Sequence, residues 1–333
     1  MAAISNLVVG DGCFLADYSI AVELLCFENS KVEDTFNTAI YMNRCLKEYS
    51  ISVDYVTAIG TDSLSIEFLD ACQSEGLDTS LIAKIPDKQL GLYAIHTDDQ
   101  GERSFSYWRN DSAAKQLLQS GLTPSQKEEL SSTFGLIYYS GISLAILDPH
   151  SRRELFDILT KAKANGSTIA FDNNYRRRLW ESETVARNVI NQFLKVTDIA
   201  LVTFDDEEEL YGDSHPEITI ERIRKRGVRE IVVKDGSNGC SILHSKGADY
   251  VPAIKVRQVV DTTSAGDSFN AAYLASRISG LSSHESARNA HILASTVIQH
   301  KGAIIPPELC LTNKDRLRLA AILSGCCTSP DNE

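Results

Sequence analysis

No apolar run in this 333-residue chain approaches the ~18 residues that a bilayer crossing needs, and the start, MAAISNLVVGDGCFLADYS, has no basic segment ahead of an apolar one. Neither a leader nor a membrane anchor is therefore expected, and the cytoplasm is the expected compartment. Long basic blocks are missing too: the formal net charge is -12, with acids and bases mixed along the chain. That excludes a partner such as nucleic acid, whose phosphate backbone requires a concentrated basic surface. The eight cysteines include Cys13, Cys26, Cys45, Cys72, Cys240 and Cys310, scattered without any Cys-x-x-Cys spacing, and the adjacent Cys326 and Cys327 in a polar tail. Reduced thiols follow, with no catalytic role assigned to any of them. The seven histidines never fall into His-x-His or His-x-x-x-His spacing, which removes the usual support for a zinc site. Linkers rich in proline, glycine or serine, internal repeats and low-complexity tracts are absent as well.

What is present is an alternation. Short apolar runs recur at Leu7–Val9, Val53–Val56, Leu136–Tyr139, Thr168–Asp172, Ile199–Val202 and Ile231–Lys234. Runs without polar alternation suit strands covered on both faces. Between two of them, Leu155, Ile158, Leu159 and Ala162 keep the i, i+3, i+4, i+7 spacing of a helix with one buried face, closed near Asn165-Gly166. The pattern predicts an α/β fold with a mostly parallel sheet, whose ligands lie beyond the carboxyl ends of the strands. One region breaks the rhythm: Gly91 to Asn110 reads as a hairpin about the turn Asp98-Asp99-Gln100-Gly101. A lone hairpin is marginal, so it must pair with or cover something. The reading is a single domain, 1–333, with a lid formed by inserted segments at about 11–35 and 86–110.

The chemistry concentrates at Asp261–Gly280, DTTSAGDSFNAAYLASRISG. Ser264, Ala265 and Gly266 are small and lead into a buried helix, whose free N–H groups form an anion site suited to phosphate. Asp267 in the first turn is placed to take a proton from a hydroxyl while those N–H groups stabilise a transferring phosphoryl group. A plain helix cap, or a charge complementing the helix dipole, accounts for an aspartate there equally well.

The segment resembles the second signature of the ribokinase-like (PfkB) sugar kinases, whose DTxGAGD pattern is here DTTSAGD. With YWRNDSAAKQLL, SGISLAIL, FDNNYRRRLW and STVIQHKGAIIP in the expected order, the chain is most similar to the 2-dehydro-3-deoxygluconokinase branch, from about Val53 to Pro307. The resemblance implies a three-layer α/β/α domain with a small β-strand lid. It also implies transfer of the γ-phosphoryl of ATP to the 6-hydroxyl of 2-keto-3-deoxygluconate. In it, Asp267 matches the catalytic base and Ser264, Ala265 and Gly266 the anion hole. A keto acid needs cationic, planar donors at one end: Arg109 and Arg176 offer guanidinium forks, and Tyr93 and Tyr107 hydroxyls and apolar walls. Tyr93, Tyr107 and Arg109 lie on the hairpin, where closure over the substrate would keep water from the phosphoryl group.

For the nucleotide, KDGSNG at Lys234–Gly239 matches the family's ATP loop with Lys234, Gly236 and Gly239, although as a bare pattern a hairpin turn explains it equally well. Asn174 resembles a position near the phosphates, and Gly302 and Ala303 the end of the adenine pocket. Magnesium is implied by phosphoryl transfer, with Glu207 of TFDDEEE on the metal side and its neighbours Asp205, Asp206 and Glu208 read as a solvated face. A homodimer through the lid strands is implied as well.

The first signature departs from the family. In KVEDTFN, Val32 and Glu33 stand where two glycines belong, while Asp34 and Asn37 are kept. This leaves open a kinase for another sugar or sugar acid, or a nucleotide-binding module with weakened turnover. A nicotinamide dehydrogenase fits poorly, since VVGDGCF supplies only two of the glycines of the GxGxxG motif.

Overall fold

The computed structural model describes residues 6–9, 13–17, 34–49, 51–97 and 103–311, with side chains at 34–49, 51–91 and 109–311. The strands are β1 (Asn6–Val9), β2 (Cys13–Asp17), β3 (Ser52–Tyr55), β4 (Thr57–Ile59), β5 (Ile82–Lys84), β6 (Gly91–Thr97), β7 (Arg103–Trp108), β8 (Leu136–Ser140), β9 (Thr168–Asp172), β10 (Ile199–Thr203), β11 (Glu230–Asp235), β12 (Gly239–His244) and β13 (Gly247–Val251). The helices are α1 (Asp34–Leu46), α2 (Ser63–Ser74), α3 (Pro124–Ser132), α4 (Gly141–Ile146), α5 (Pro149–Ala164), α6 (Glu183–Phe193), α7 (Phe204–Tyr211), α8 (Pro216–Arg224), α9 (Ala265–Ile278) and α10 (Ser283–Val297).

All six apolar runs fall on strands of one eight-stranded sheet, ordered β13-β12-β11-β10-β9-β8-β1-β3. From β11 to β3 every pairing is parallel; β12 and β13 are antiparallel additions at one edge. The runs are continuous because both faces are covered. On β9, Ile169 and Phe171 join the core under α3 to α8, whereas Ala170 between them joins the core under α1, α2, α9 and α10. The same alternation places Ala200 and Val202 of β10 on one side and Leu201 on the other. The result is helix layers on both faces of a sheet.

Helix α5 shows how locally the sequence acts. Asp148 accepts from the N–H groups of His150 and Ser151 at 2.7 and 3.1 Å, Pro149 opens the first turn, and the helix stops at Asn165. Its face at Ile158, Leu159 and Ala162 is buried, as the spacing predicts. Helix α9 is different, buried almost all round. Ala271, Ala272 and Ala275 have no exposed surface, and α1 and α10 both pack against it; small side chains let three helices approach closely.

The hairpin is β6–β7, antiparallel, with Tyr93 and Tyr107 as register partners. It forms a separate three-stranded sheet with β2, which runs parallel to β6. Cys26, Val32, Glu33, Cys326 and Cys327 lie outside the described residues, as does the side chain of Cys13. No helix among the described residues is long and apolar enough to cross a membrane.

Candidate active site

The carboxyl ends of β8 to β11 and the starts of α1, α7 and α9 converge, and the convergence begins with an unusual helix start. Ser264, just before α9, has φ 64°, the left-handed region that a side chain enters only at a cost. Its hydroxyl does not cap the helix. At α2, α3, α4, α5, α6 and α10 a side chain does accept from the first-turn N–H groups, whereas α7 and α8, like α9, have no such cap. The first turn of α9 is thus left without a side-chain cap, the form an anion site takes. Gly266 keeps that turn bare, and a Cβ there would lie 3.7 Å from Nζ of Lys234.

The Ser264 hydroxyl instead donates to Oδ2 of Asp267 at 2.8 Å, and Nδ2 of Asn37, in the first turn of α1, donates to the same oxygen at 2.9 Å. Asp267 is buried. Burial pushes its carboxyl well above the ordinary range, helped by the negative charges of Asp34 and Asp172 and opposed by the hydrogen bonds from Asn37 and Ser264. Oδ1 of Asn37 is a buried acceptor with no partner among the described residues.

Beneath this turn lies a buried polar network. Lys234, at the end of β11, gives Nζ to Oδ2 of Asp172 at 3.0 Å and to Oδ1 of Asn270 at 2.9 Å. Asn270 donates to the same Asp172 oxygen at 2.6 Å and to the Tyr138 hydroxyl at 3.1 Å. Asp172 ends β9, and its Oδ1 accepts from the N–H of Asn174 at 3.2 Å, holding a tight turn in which Asn174 takes φ 35°. That turn delivers Arg176, whose side chain is 48% exposed and whose Nη1 meets the Tyr175 carbonyl at 2.9 Å and Oδ1 of Asp206 at 3.5 Å. Burial would lower the Arg176 affinity for its proton, but Asp34, Asp206, Asp172 and Asp267 outweigh it and raise it. Asp206 also accepts from the N–H of Tyr175 at 3.2 Å. Burial pushes its carboxyl up to about 7, with Arg176 pulling the other way.

The profile of pfkB family carbohydrate kinases matches residues 34–310. The 2-dehydro-3-deoxygluconokinase of Escherichia coli (strain K12) is 48% identical over 278 residues, 83% of this chain and 90% of that protein. The chain belongs to the pfkB family of carbohydrate kinases. The protein of the same name from Dickeya dadantii (strain 3937) is 46% identical over 278 residues, 83% of this chain and 89% of its own. Among solved structures, the 2-dehydro-3-deoxygluconokinase of Thermotoga maritima superposes with a TM-score of 0.81 at 18% identity, over 96% of this chain and 99% of that one. A fructokinase with bound ATP from Xylella fastidiosa gives the same TM-score and identity over 96% and 99%. At such identities the superpositions show the fold, which is ribokinase-like α/β.

In this carbohydrate kinase the remaining expected site residues fall into three groups. Gly236 and Gly239 flank the turn from β11 to β12, so the KDGSNG segment, expected to be the ATP loop, is a hairpin turn. Gly239 has φ 119°, and a Cβ on it would come within 2.2 Å of the Val251 carbonyl oxygen. Gly302 and Ala303 are tied to the site from behind: the Gly302 N–H donates to Oδ2 of Asp261 at 3.1 Å, and the Tyr41 hydroxyl donates to the Ala303 carbonyl at 2.7 Å. Tyr93, Tyr107 and Arg109 stand on and just after the three-stranded sheet; Arg109 is half-buried, and the two tyrosine side chains lie outside the described ones.

Glu207, expected on the metal side and able to act there through water, is engaged within the protein. It is almost fully buried, its Oε1 accepts from Nδ2 of Asn173 at 2.7 Å, and its Oε2 is paired with Arg222, which also holds Asp213 and stacks on the Tyr211 ring at 3.6 Å. Both oxygens thus have partners inside the protein. The acid of that run that reaches the site is Asp206, read from sequence as solvated. Asp172 and Asn270 were also missed. Position after a strand would have flagged Asp172, but nothing in the spacing links it to Lys234, 62 residues away.

Proposed function

We propose that this kinase transfers the γ-phosphoryl of ATP to the 6-hydroxyl of 2-keto-3-deoxygluconate, giving 2-keto-3-deoxy-6-phosphogluconate and ADP. Relatives 46% and 48% identical over most of their length carry the corresponding name. The observation that carries the mechanism is Asp267: a buried carboxyl in the first turn of a helix without a side-chain cap, one oxygen pinned by Asn37 and Ser264. Burial beside Asp34 and Asp172 makes it a stronger base than an ordinary aspartate. It takes the hydroxyl proton as the oxygen attacks phosphorus. The N–H groups of Gly266 and Asp267 face the anionic oxygens of the transferring group, the Ala265 N–H being taken by the Thr262 carbonyl at 3.2 Å, and the Lys234 ammonium behind Gly266 adds fixed positive charge.

Arg176 and Arg109 bind the acceptor's carboxylate and carbonyl end, with Tyr93 and Tyr107 on the lid enclosing it. The unpartnered Oδ1 of Asn37 suits an acceptor hydroxyl. Gly236 and Gly239 bring bare backbone to the nucleotide, with Asn174 near its phosphates and Gly302 and Ala303 at the base. Magnesium, bound with ATP, supplies charge neutralisation on the phosphates. Asp172 and Asp206, with Glu207 acting through water, are the acids that would stand on its side. We further infer a homodimer through the three-stranded sheet, whose strands offer open edges, and a cytoplasmic setting, where ATP is supplied.

The test is ADP release by the purified protein with magnesium-ATP, comparing 2-keto-3-deoxygluconate with gluconate, fructose and ribose. Turnover confined to the keto acid supports the reading. Equal or faster turnover of a neutral sugar overturns the acceptor assignment.

A further inference from the structure

We propose that Ser264 is a positioning residue for the base: with Asn37 its hydroxyl fixes Oδ2 of Asp267, so that Oδ1 is the oxygen turned to the acceptor's hydroxyl. This rests on the reading of Asp267 as the base.

Three observations carry it. First, the position has φ 64°, where glycine is the inexpensive residue and serine is strained. A side chain at such a place needs a reason. Second, the hydroxyl is not used for the usual purpose of a serine at a helix start, since it makes no cap. It lies 2.8 Å from the Asp267 carboxylate, in a residue 9% exposed. Third, the other donor on that oxygen comes from a separate element, α1, at 2.9 Å. Two donors from two directions converge on Oδ2, and none of the described hydrogen bonds uses Oδ1. A carboxylate held by one oxygen cannot rotate freely, so its second oxygen keeps one direction. The left-handed turn that bares the first-turn N–H groups also swings the Ser264 side chain back onto Asp267, so anion site and base are set by one residue.

The hydroxyl also favours the ionised form of Asp267, in surroundings that otherwise oppose it. The groups facing that carboxylate are Asp34 and Tyr41 from α1, Tyr138 from β8, Asp172 from the end of β9, and Arg176 from the turn after it. Of these only Arg176 is positive, and the Lys234 ammonium from β11, behind Gly266, is already paired with Asp172. Removing the hydroxyl therefore raises the carboxyl's proton affinity, and the acid limb of the pH–kcat profile moves to higher pH.

Ser264→Gly and Ser264→Ala separate this from a role in folding. Glycine relieves the strained backbone and deletes the hydroxyl; alanine deletes the hydroxyl alone. In both, kcat is expected to fall about fivefold on the acid limb of the profile and less than about twofold on its alkaline plateau, the hydrogen bond to a charged group being what is lost. The glycine variant should melt above the alanine variant, because both lose the hydroxyl and only glycine relieves the left-handed backbone. A slower enzyme with a displaced acid limb in both variants, whatever their order of stability, is the signature of positioning. Wild-type kcat and an unmoved limb in both variants overturn the proposal, as does a slow glycine variant beside a normal alanine variant, which would assign the effect to backbone. Asp267→Asn, assayed in parallel, distinguishes the failures. If it is inactive while both Ser264 variants are normal, only this inference falls; if it is active, the base assignment falls and this inference with it.

Discussion

Lys234→Met tests whether the floor of the site is held by charge. Lys234 and Asp172 are 9% and 5% exposed at their side chains and 3.0 Å apart. At that separation, with an effective dielectric constant of about 20, their attraction is about 5 kcal/mol before desolvation is counted. The measurable quantity is the loss when one partner goes. Asp172 keeps Asn270 as a donor but loses its counter-ion, and breaking such a buried pair costs roughly 3–5 kcal/mol. Methionine fills most of the lysine stem's volume, so little of the loss is packing. In Lys234→Met/Asp172→Asn the new amide can donate to Oδ1 of Asn270, and no unpaired charge is left. The double variant should recover to within about 1–2 kcal/mol of wild type. Urea midpoints at constant slope give the values, and the two single variants with the double complete a thermodynamic cycle. A Lys234→Met loss below about 1 kcal/mol, or a double variant no more stable than the single, would refute the reasoning. The double variant should still phosphorylate slowly, because the positive charge behind Gly266 is gone.

Two further outcomes follow from single contacts. Arg109→Ala should raise the acceptor KM by about tenfold or more with kcat changed little, the pattern of a lost carboxylate contact; an unchanged KM would return Arg109 to a structural role. Burial holds His291 down at about 4, its Nε2 being 3.2 Å from the Val251 carbonyl. Its folded value lies below the unfolded one, so its contribution to stability is complete above about pH 6.5 and is lost as pH falls towards 4. Asp206, raised to about 7, acts in the opposite sense over the same range, so the informative comparison is with His291→Gln at each pH. Between pH 7 and pH 5 the wild type should lose about 2 kcal/mol relative to that variant. Parallel losses would show that His291 does not titrate in this window.

The fold was legible where burial is two-sided and least legible at edges. β9 matches its apolar run at both ends, because a strand covered on each face needs apolar residues throughout. β13 could not be read: it is an edge strand, GADYV, largely exposed except at Val251. β4 and β5 are three residues each and pair only with one another, too short for any periodicity to register. The helix carrying Asp267 was readable because small residues before a buried apolar segment have few other uses. The acids of TFDDEEE were not. Successive residues of a helix turn by about 100°, so of Asp206 and Glu207 one faces Arg176 and the other the Arg222 pair. Nothing in five consecutive acids says which. Ser264 illustrates the same limit, since its backbone conformation alone sends the hydroxyl to Asp267 instead of to the helix N–H groups.

The most direct test of the whole account is kcat of Asp267→Asn with magnesium-ATP and 2-keto-3-deoxygluconate, with ATP affinity measured on the same preparation and the product's phosphorylated position identified by phosphorus and carbon NMR. The account predicts phosphate on the 6-oxygen for the wild type, and ATP binding retained in the variant with kcat lower by roughly two to four orders of magnitude. Turnover near the wild-type rate in the variant would contradict it.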